Sequence, residues 1–241
     1  MKNKLKKLTA ALLALVMASG LFAVMPLTAS AAEFQTEPMI AASSGRNRVF
    51  ILKSDGTVWT WQMTGITYPQ QVPNLSGITV IASGTGGSPG HTLALKNDGT
   101  VWAWGDNYFG QLGDGTTTNR NIPVQVQNIS EVTAIAAGDF FSLLLKSDGT
   151  VWARGSNYCG ELGNGTTDRA PHPTLTQVQG LSGITDIAAG GSYSLALKDD
   201  GTVWAWGYHG YGHFSTSSVT DSPIPVQVQN LSEISQQPDK P

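Results

Sequence analysis

The chain has 241 residues, of which only 13% are charged and 28 are glycine. With the four lysines of the first seven residues set aside, 10 basic side chains face 17 acidic ones, a formal net charge of −7. That balance excludes a nucleic-acid binder that works by displacing phosphate counterions, and the single cysteine, Cys159, excludes a disulfide-stapled domain.

Residues 1–31 read as a secretory leader. Lys2, Lys4, Lys6 and Lys7 precede an apolar run from Leu8 to about Met25, and Ala29-Ser30-Ala31 offers the small residues a signal peptidase reads, with cleavage before Ala32. The run approaches the length that spans a bilayer, but the small-residue site directly behind it favours cleavage. No later stretch is long and apolar enough to cross a membrane as a helix, so the expectation is an exported protein of bacterial type with no remaining span. Residues 32–38 then read as a short linker.

From residue 39 to 235 the chain repeats one pattern four times, over about 39–80, 81–134, 135–186 and 187–235. Each unit opens with a small-residue strand at Ile40, Ile81, Ile135 or Ile187. An apolar strand such as SLLLK follows, then a DGT triplet beginning at Asp55, Asp98, Asp148 or Asp200, then a strand such as TVWAWG. Asp-Gly between apolar runs predicts a two-residue hairpin turn on Asp55-Gly56, Asp98-Gly99, Asp148-Gly149 and Asp200-Gly201. A polar, glycine-rich loop and a PVQVQN-like strand complete the unit. Four short strands in about 50 residues are the content of a propeller blade. The fold class is therefore all-β, with a polar tail at 236–241.

The loops after the tryptophan strands diverge while the strands do not. The first unit lacks most of its loop, the third carries Arg154 where the others have Trp61, Trp104 and Trp206, and the fourth reads GYHGYGHFSTSSVTDSPIP in place of GDNYFGQLGDGTTTNRNIP. Divergent loops on a repeated scaffold are where binding is expected.

These units resemble the repeat of the regulator of chromosome condensation family. GHTLALKNDGTVWAWGDNYFGQLGDG, from Gly90 to Gly115, carries its phrase closely, and GSNYCGELGNG, from Gly155 to Gly165, carries its second half. The resemblance implies a β-propeller, which in that family has seven blades. Four units imply an open, partial propeller, with a closed four-bladed ring as the alternative. In the open form the strand around Phe50 to Leu52 and the strand from Trp204 to Trp206 are expected to lie bare at the two ends, with self-association as the consequence. The founding member is an exchange factor for a small GTPase. The leader and the acidic balance set that activity aside.

No catalytic set emerges. His209 and His213 stand four apart, but glycines interrupt the segment, so a surface loop is expected in place of a metal site. His91 stands where other units have Phe141 and Tyr193, which reads as packing. Cys159 takes the place of Phe109 as a small apolar filler, and the DGT aspartates read as turn residues in preference to calcium ligands. No metal or cofactor is expected. The candidate binding residues are Tyr108, Phe109, Tyr158, Tyr208, His209 and Tyr211, with Tyr108, Tyr158 and Tyr208 expected to be exposed and, for Phe109 and Phe214, tucking back between blades as the alternative to binding. The expected function is a non-enzymatic extracellular binding module for a protein partner, with cell-wall carbohydrate as the alternative ligand.

Overall fold

The computed structural model describes residues 39–43, 48–62, 68–87, 90–210 and 221–229. The chain divides after Glu33 into two units, and the first, Met1–Glu33, lies outside the described residues, as do the expected linker and tail.

The described residues form strands, turns and loops with no helix, and the strands make four antiparallel sheets. Each sheet is a meander of four consecutive strands. The first holds β1 (Met39–Ser43), β2 (Arg48–Leu52), β3 (Val58–Gln62) and β4 (Gln70–Gln71). The second holds β5 (Ile78–Ser83), β6 (Thr92–Lys96), β7 (Val101–Gly105) and β8 (Arg120–Gln125). The third holds β9 (Val132–Ala137), β10 (Phe141–Lys146), β11 (Val151–Asn157) and β12 (Asp168–Gln177). The fourth holds β13 (Ile184–Ala189), β14 (Tyr193–Lys198), β15 (Val203–Gly207) and β16 (Ser222–Gln227).

The small-residue strands are innermost and pack in series, β1 against β5, β5 against β9 and β9 against β13. Alanine at these positions lets neighbouring backbones approach where blades converge. Three buried clusters fill the seams between successive sheets. The first seam sets Phe50, Leu52 and Val58 against Ala94 and Trp104, with the Phe50 and Trp104 rings edge to face at 5.6 Å. The second sets Leu93, Leu95 and Val101 against Leu144 and Ile135, and the third sets Leu143, Leu145 and Val151 against Ala196 and Trp206. Each fully buried leucine contributes about 1.5–3 kcal/mol of transfer free energy. Four sheets joined by three seams make an open arc, so the closed four-bladed ring does not form.

Two expectations are corrected. The hairpin loops have three residues, not two. Gly56 N–H donates to Lys53 C=O and Lys53 N–H to Thr57 C=O, both at 2.9 Å, and of the loop residues only Gly56 has positive φ, at 74°. That is a type I turn closed by a left-handed glycine, and it recurs with Gly99, Gly149 and Gly201. The expected bare ends are also wrong in detail. Phe50, Leu52 and Trp206 are buried inside seams. Alternation along a strand sends neighbours to opposite faces, so the faces that no described sheet covers hold the intervening residues: Val49, Ile51, Trp59 and Trp61 on the first sheet, and Leu195, Leu197 and Val203 on the fourth.

Candidate functional site

The DGT aspartates have a complete structural occupation. Asp148 Oδ1 accepts from Thr150 N–H at 3.0 Å and Thr150 Oγ1 at 2.6 Å, and Thr150 Oγ1 in turn accepts from Trp152 Nε1 at 3.1 Å. The same relay joins Asp55, Thr57 and Trp59, and Asp200, Thr202 and Trp204. In the second unit Asp98 holds Thr100, while Trp102 Nε1 is left without a partner among the described residues. A lysine two residues earlier pairs with each aspartate, at 3.6, 3.4, 3.4 and 2.9 Å in chain order. The threonine hydrogen bond leads the causes that hold Asp200 at a pKa of about 2. Among the described residues no group of acids, histidines and cysteine is placed to hold a metal ion.

The long loops after β7 and β11 are each organised by one buried asparagine. Asn107 Oδ1 accepts from Leu112 N–H at 2.9 Å, and its Nδ2 donates to the carbonyls of Thr116 and Thr118, both at 3.0 Å. Asn157 repeats this with Leu162 and Thr166. The loops are thereby pinned so that Leu112 and Leu162 enter the seam with the next sheet. His209 stands in the register position of these asparagines, two residues past the strand's glycine, and this corrects its expected place on a surface loop. It is buried, and its backbone N–H donates to Asp221 Oδ1 at 3.1 Å. Tyr208 is half-buried, whereas Tyr108 and Tyr158 are 69% and 55% exposed. Tyr211, His213 and Phe214 lie outside the described residues.

Phe109 is half-buried and lies edge to face with Phe140 at 5.4 Å and with Tyr108 at 4.9 Å. Together with Tyr158, Glu161, Arg169 and Ser192 the Phe109 and Phe140 rings line a cleft of about 410 Å3 on the loop face, drawing on the second, third and fourth sheets. Arg169 caps one wall, with its guanidinium 4.7 Å from the Tyr158 ring centroid and Nη2 donating to the Tyr158 hydroxyl at 2.7 Å. Glu161 sits at the cleft with only 2% exposure and accepts from Cys159 N–H at 2.8 Å. Burial, with the nearby Asp221 charge adding to it, pushes its carboxyl up to about 6. Burial and the same two carboxylates push the Cys159 thiol to about 12, so the thiolate that a nucleophile requires is scarce at neutral pH.

Two buried groups sit apart from the cleft. Arg154 occupies the tryptophan position with no exposure, and its Nε donates to Gln111 C=O at 2.9 Å, as Trp206 Nε1 does to Glu161 C=O at 2.8 Å. Burial lowers its pKa to about 9, so it stays charged at neutral pH. His91, buried with Nε2 3.1 Å from Ser142 Oγ, is held neutral by burial and by Arg154, with a pKa of about 3. A packing role accounts for it.

Glu161, Asn107, Asn157 and Arg169 were not singled out from the sequence. Glu161 had a readable signal, because it replaces Gln111 at the same step of the loop. The asparagines had one too, in the shared G-x-N after each strand. The Arg169–Tyr158 pair had none.

Comparison with known proteins follows the same units. A profile described as the regulator of chromosome condensation (RCC1) repeat matches residues 98–145 and 148–197, and a second of that description matches 81–111, 132–161 and 184–212. The chain is 33% identical over 202 residues to the E3 ubiquitin-protein ligase HERC2 of Homo sapiens, covering 78% of this chain and 4% of that protein. It is 28% identical over 163 residues to the ultraviolet-B receptor UVR8 of Arabidopsis thaliana, covering 67% of this chain and 37% of the receptor. Among solved structures, yeast RCC1 (Prp20) bound to Kap60 superposes with a TM-score of 0.69 at 21% identity, over 84% of this chain and 51% of that one. Human WBSCR16 superposes with a TM-score of 0.65 at 19% identity, over 76% and 50%. The chain thus spans about half the length of these propellers.

Proposed function

Because the chain belongs to the regulator of chromosome condensation repeat family, we propose that it is a non-enzymatic extracellular binding module that takes a protein partner on its loop face. The observation that carries this reading is the aromatic cleft of Phe109, Phe140 and Tyr158, built on loops whose own polar groups are internally bonded. Rigid aromatic side chains beside a pinned loop are the composition of an interface hot spot. The leader of residues 1–31 supports an extracellular setting. The high Cys159 pKa and the bonded DGT aspartates support a role without chemistry. A yeast relative has been solved with Kap60, and its binding to Gsp1p and histones has been studied, which supports a protein as the class of ligand.

The test immobilises the chain and exposes it in parallel to secreted-protein extract and to purified cell wall. A protein retained by the parent and lost about tenfold or more by Tyr158→Ala or Phe109→Ala supports the reading. Retention of cell wall that is lost with the same variants assigns the cleft to carbohydrate. Binding unchanged in both variants sinks the cleft as the site.

A further inference from the structure

Every internal seam joins two kinds of face. One is the β-hairpin face that carries two large apolar residues and a valine: Phe50, Leu52 and Val58 in the first sheet, Leu93, Leu95 and Val101 in the second, Leu143, Leu145 and Val151 in the third. All nine are buried. The other is the opposite face of the next sheet, where a tryptophan or its replacement arrives: Trp104 in the first seam, Arg154 beneath the Gln111 carbonyl in the second, Trp206 in the third. Among the described residues the arc ends with one face of each kind unmatched. The fourth sheet presents Leu195, Leu197 and Val203 only half-buried, in the register of the nine buried residues. The first sheet presents Val49 paired with Trp61 and Ile51 paired with Trp59, all four half-buried, where the second sheet's Ala94 and Trp104, at the positions of Ile51 and Trp61, are buried. Trp59 and Trp61 stand where Trp102 and Trp104 stand in the second sheet.

We infer that the occupant of each end face is a second copy of this chain, with the first sheet of one copy seated on the fourth sheet of the other. The contact continues the internal seam, so its shape and chemistry are those the repeat already uses three times. A two-fold axis makes the two end contacts of such a pair equivalent, and eight blades close into a ring within the size range of known propellers. A face-to-face pairing of two fourth sheets is excluded by the same logic, because it would put leucine face on leucine face, a combination no internal seam uses. The inference does not depend on the loop-face reading, since the cleft and the end faces share no residue.

The test uses the full chain in sedimentation velocity or native mass spectrometry across a hundredfold concentration range. The parent is expected at twice the chain mass and no higher. Ile51→Lys on the first sheet and Leu195→Glu on the fourth are each expected to give the single-chain mass. A 1:1 mixture of the two variants is expected to recover the double mass, because each copy then offers the intact face the other lacks. Should either variant lose its cooperative melt, Trp61→Lys and Leu197→Glu replace the pair. A parent at single mass, growth beyond two copies, a single variant that still pairs, or a mixture that does not pair each overturns the inference. Association through the apolar residues 8–25 would survive both variants and is therefore read as an overturning result.

Discussion

At Glu161 one atom separates two loops. Gln111 Oε1 accepts from Phe109 N–H at 3.0 Å as Glu161 Oε2 accepts from Cys159 N–H, so the amide would keep the bond that the carboxylate makes. The carboxyl is raised from its ordinary 4.5 to about 6, so the folded chain holds a proton there that the unfolded chain has released. This contribution is complete below about pH 4.5 and is lost as pH rises through about 6, a span of about 2 kcal/mol. Glu161→Gln is therefore expected to raise the melting temperature at pH 7 and to flatten its decline between pH 4.5 and 7. An unchanged slope in thermal melts would mean that Glu161 is solvated. Asp200 acts with the opposite sign: its pKa of about 2 gives stability that is present above the ordinary carboxylate value of 3.8 and lost as pH falls toward 2. The threonines give a second test at this scale. Thr150→Val removes both links of a relay and strands Trp152 Nε1, at about 1 kcal/mol or more. Thr100→Val should cost less, because Trp102 Nε1 already lacks that bond. Equal losses in chemical denaturation would show that the indole bond contributes nothing.

The hairpin is the element that the repeat writes four times, and the glycine of its turn is held at positive φ in every copy. Gly99 has φ 78°, and a Cβ there would stand 3.3 Å from the Glu131 backbone. Gly99→Val is expected to cost at least about 1–2 kcal/mol from the left-handed backbone alone, read as a lower melting temperature. The existence and order of the strands were legible because alternation, Asp-Gly and the repeat all point the same way. The loop length was not, since Asp-Gly serves two-residue turns and also a type I turn ending in a left-handed glycine. Which end residues are bare was misread for a different reason. The repeat says that a strand is apolar on both faces, but only the direction of packing says which face meets a neighbour. The candidate site was legible as a set of loops and not as a cleft. Phe140, from the turn before β10, and Ser192, from the turn before β14, reach it through the stacking of sheets, a relation with no short-range signature.

Stacked blades touch only their neighbours, so the stability of the whole is close to a sum over seams. The second and third sheets each share two seams, while the first and fourth share one. At dilutions where the chain is single, amides of β2 and β3 and of β14 and β15 should therefore exchange with solvent faster than those of β6 and β7 or β10 and β11, since local opening draws on the least-buttressed units. The two ends should differ little from each other, because each keeps one full apolar face in a seam. Raising concentration should then slow exchange at both ends together and leave the middle sheets unchanged, since a two-fold pair covers both end faces in one event. Hydrogen-exchange mass spectrometry on peptides from the four hairpins reads this directly. Uniform protection at high dilution would mean that the end faces are already covered within one chain. Slowing at one end only would mean that the covering contact is not the reciprocal one between first and fourth sheets.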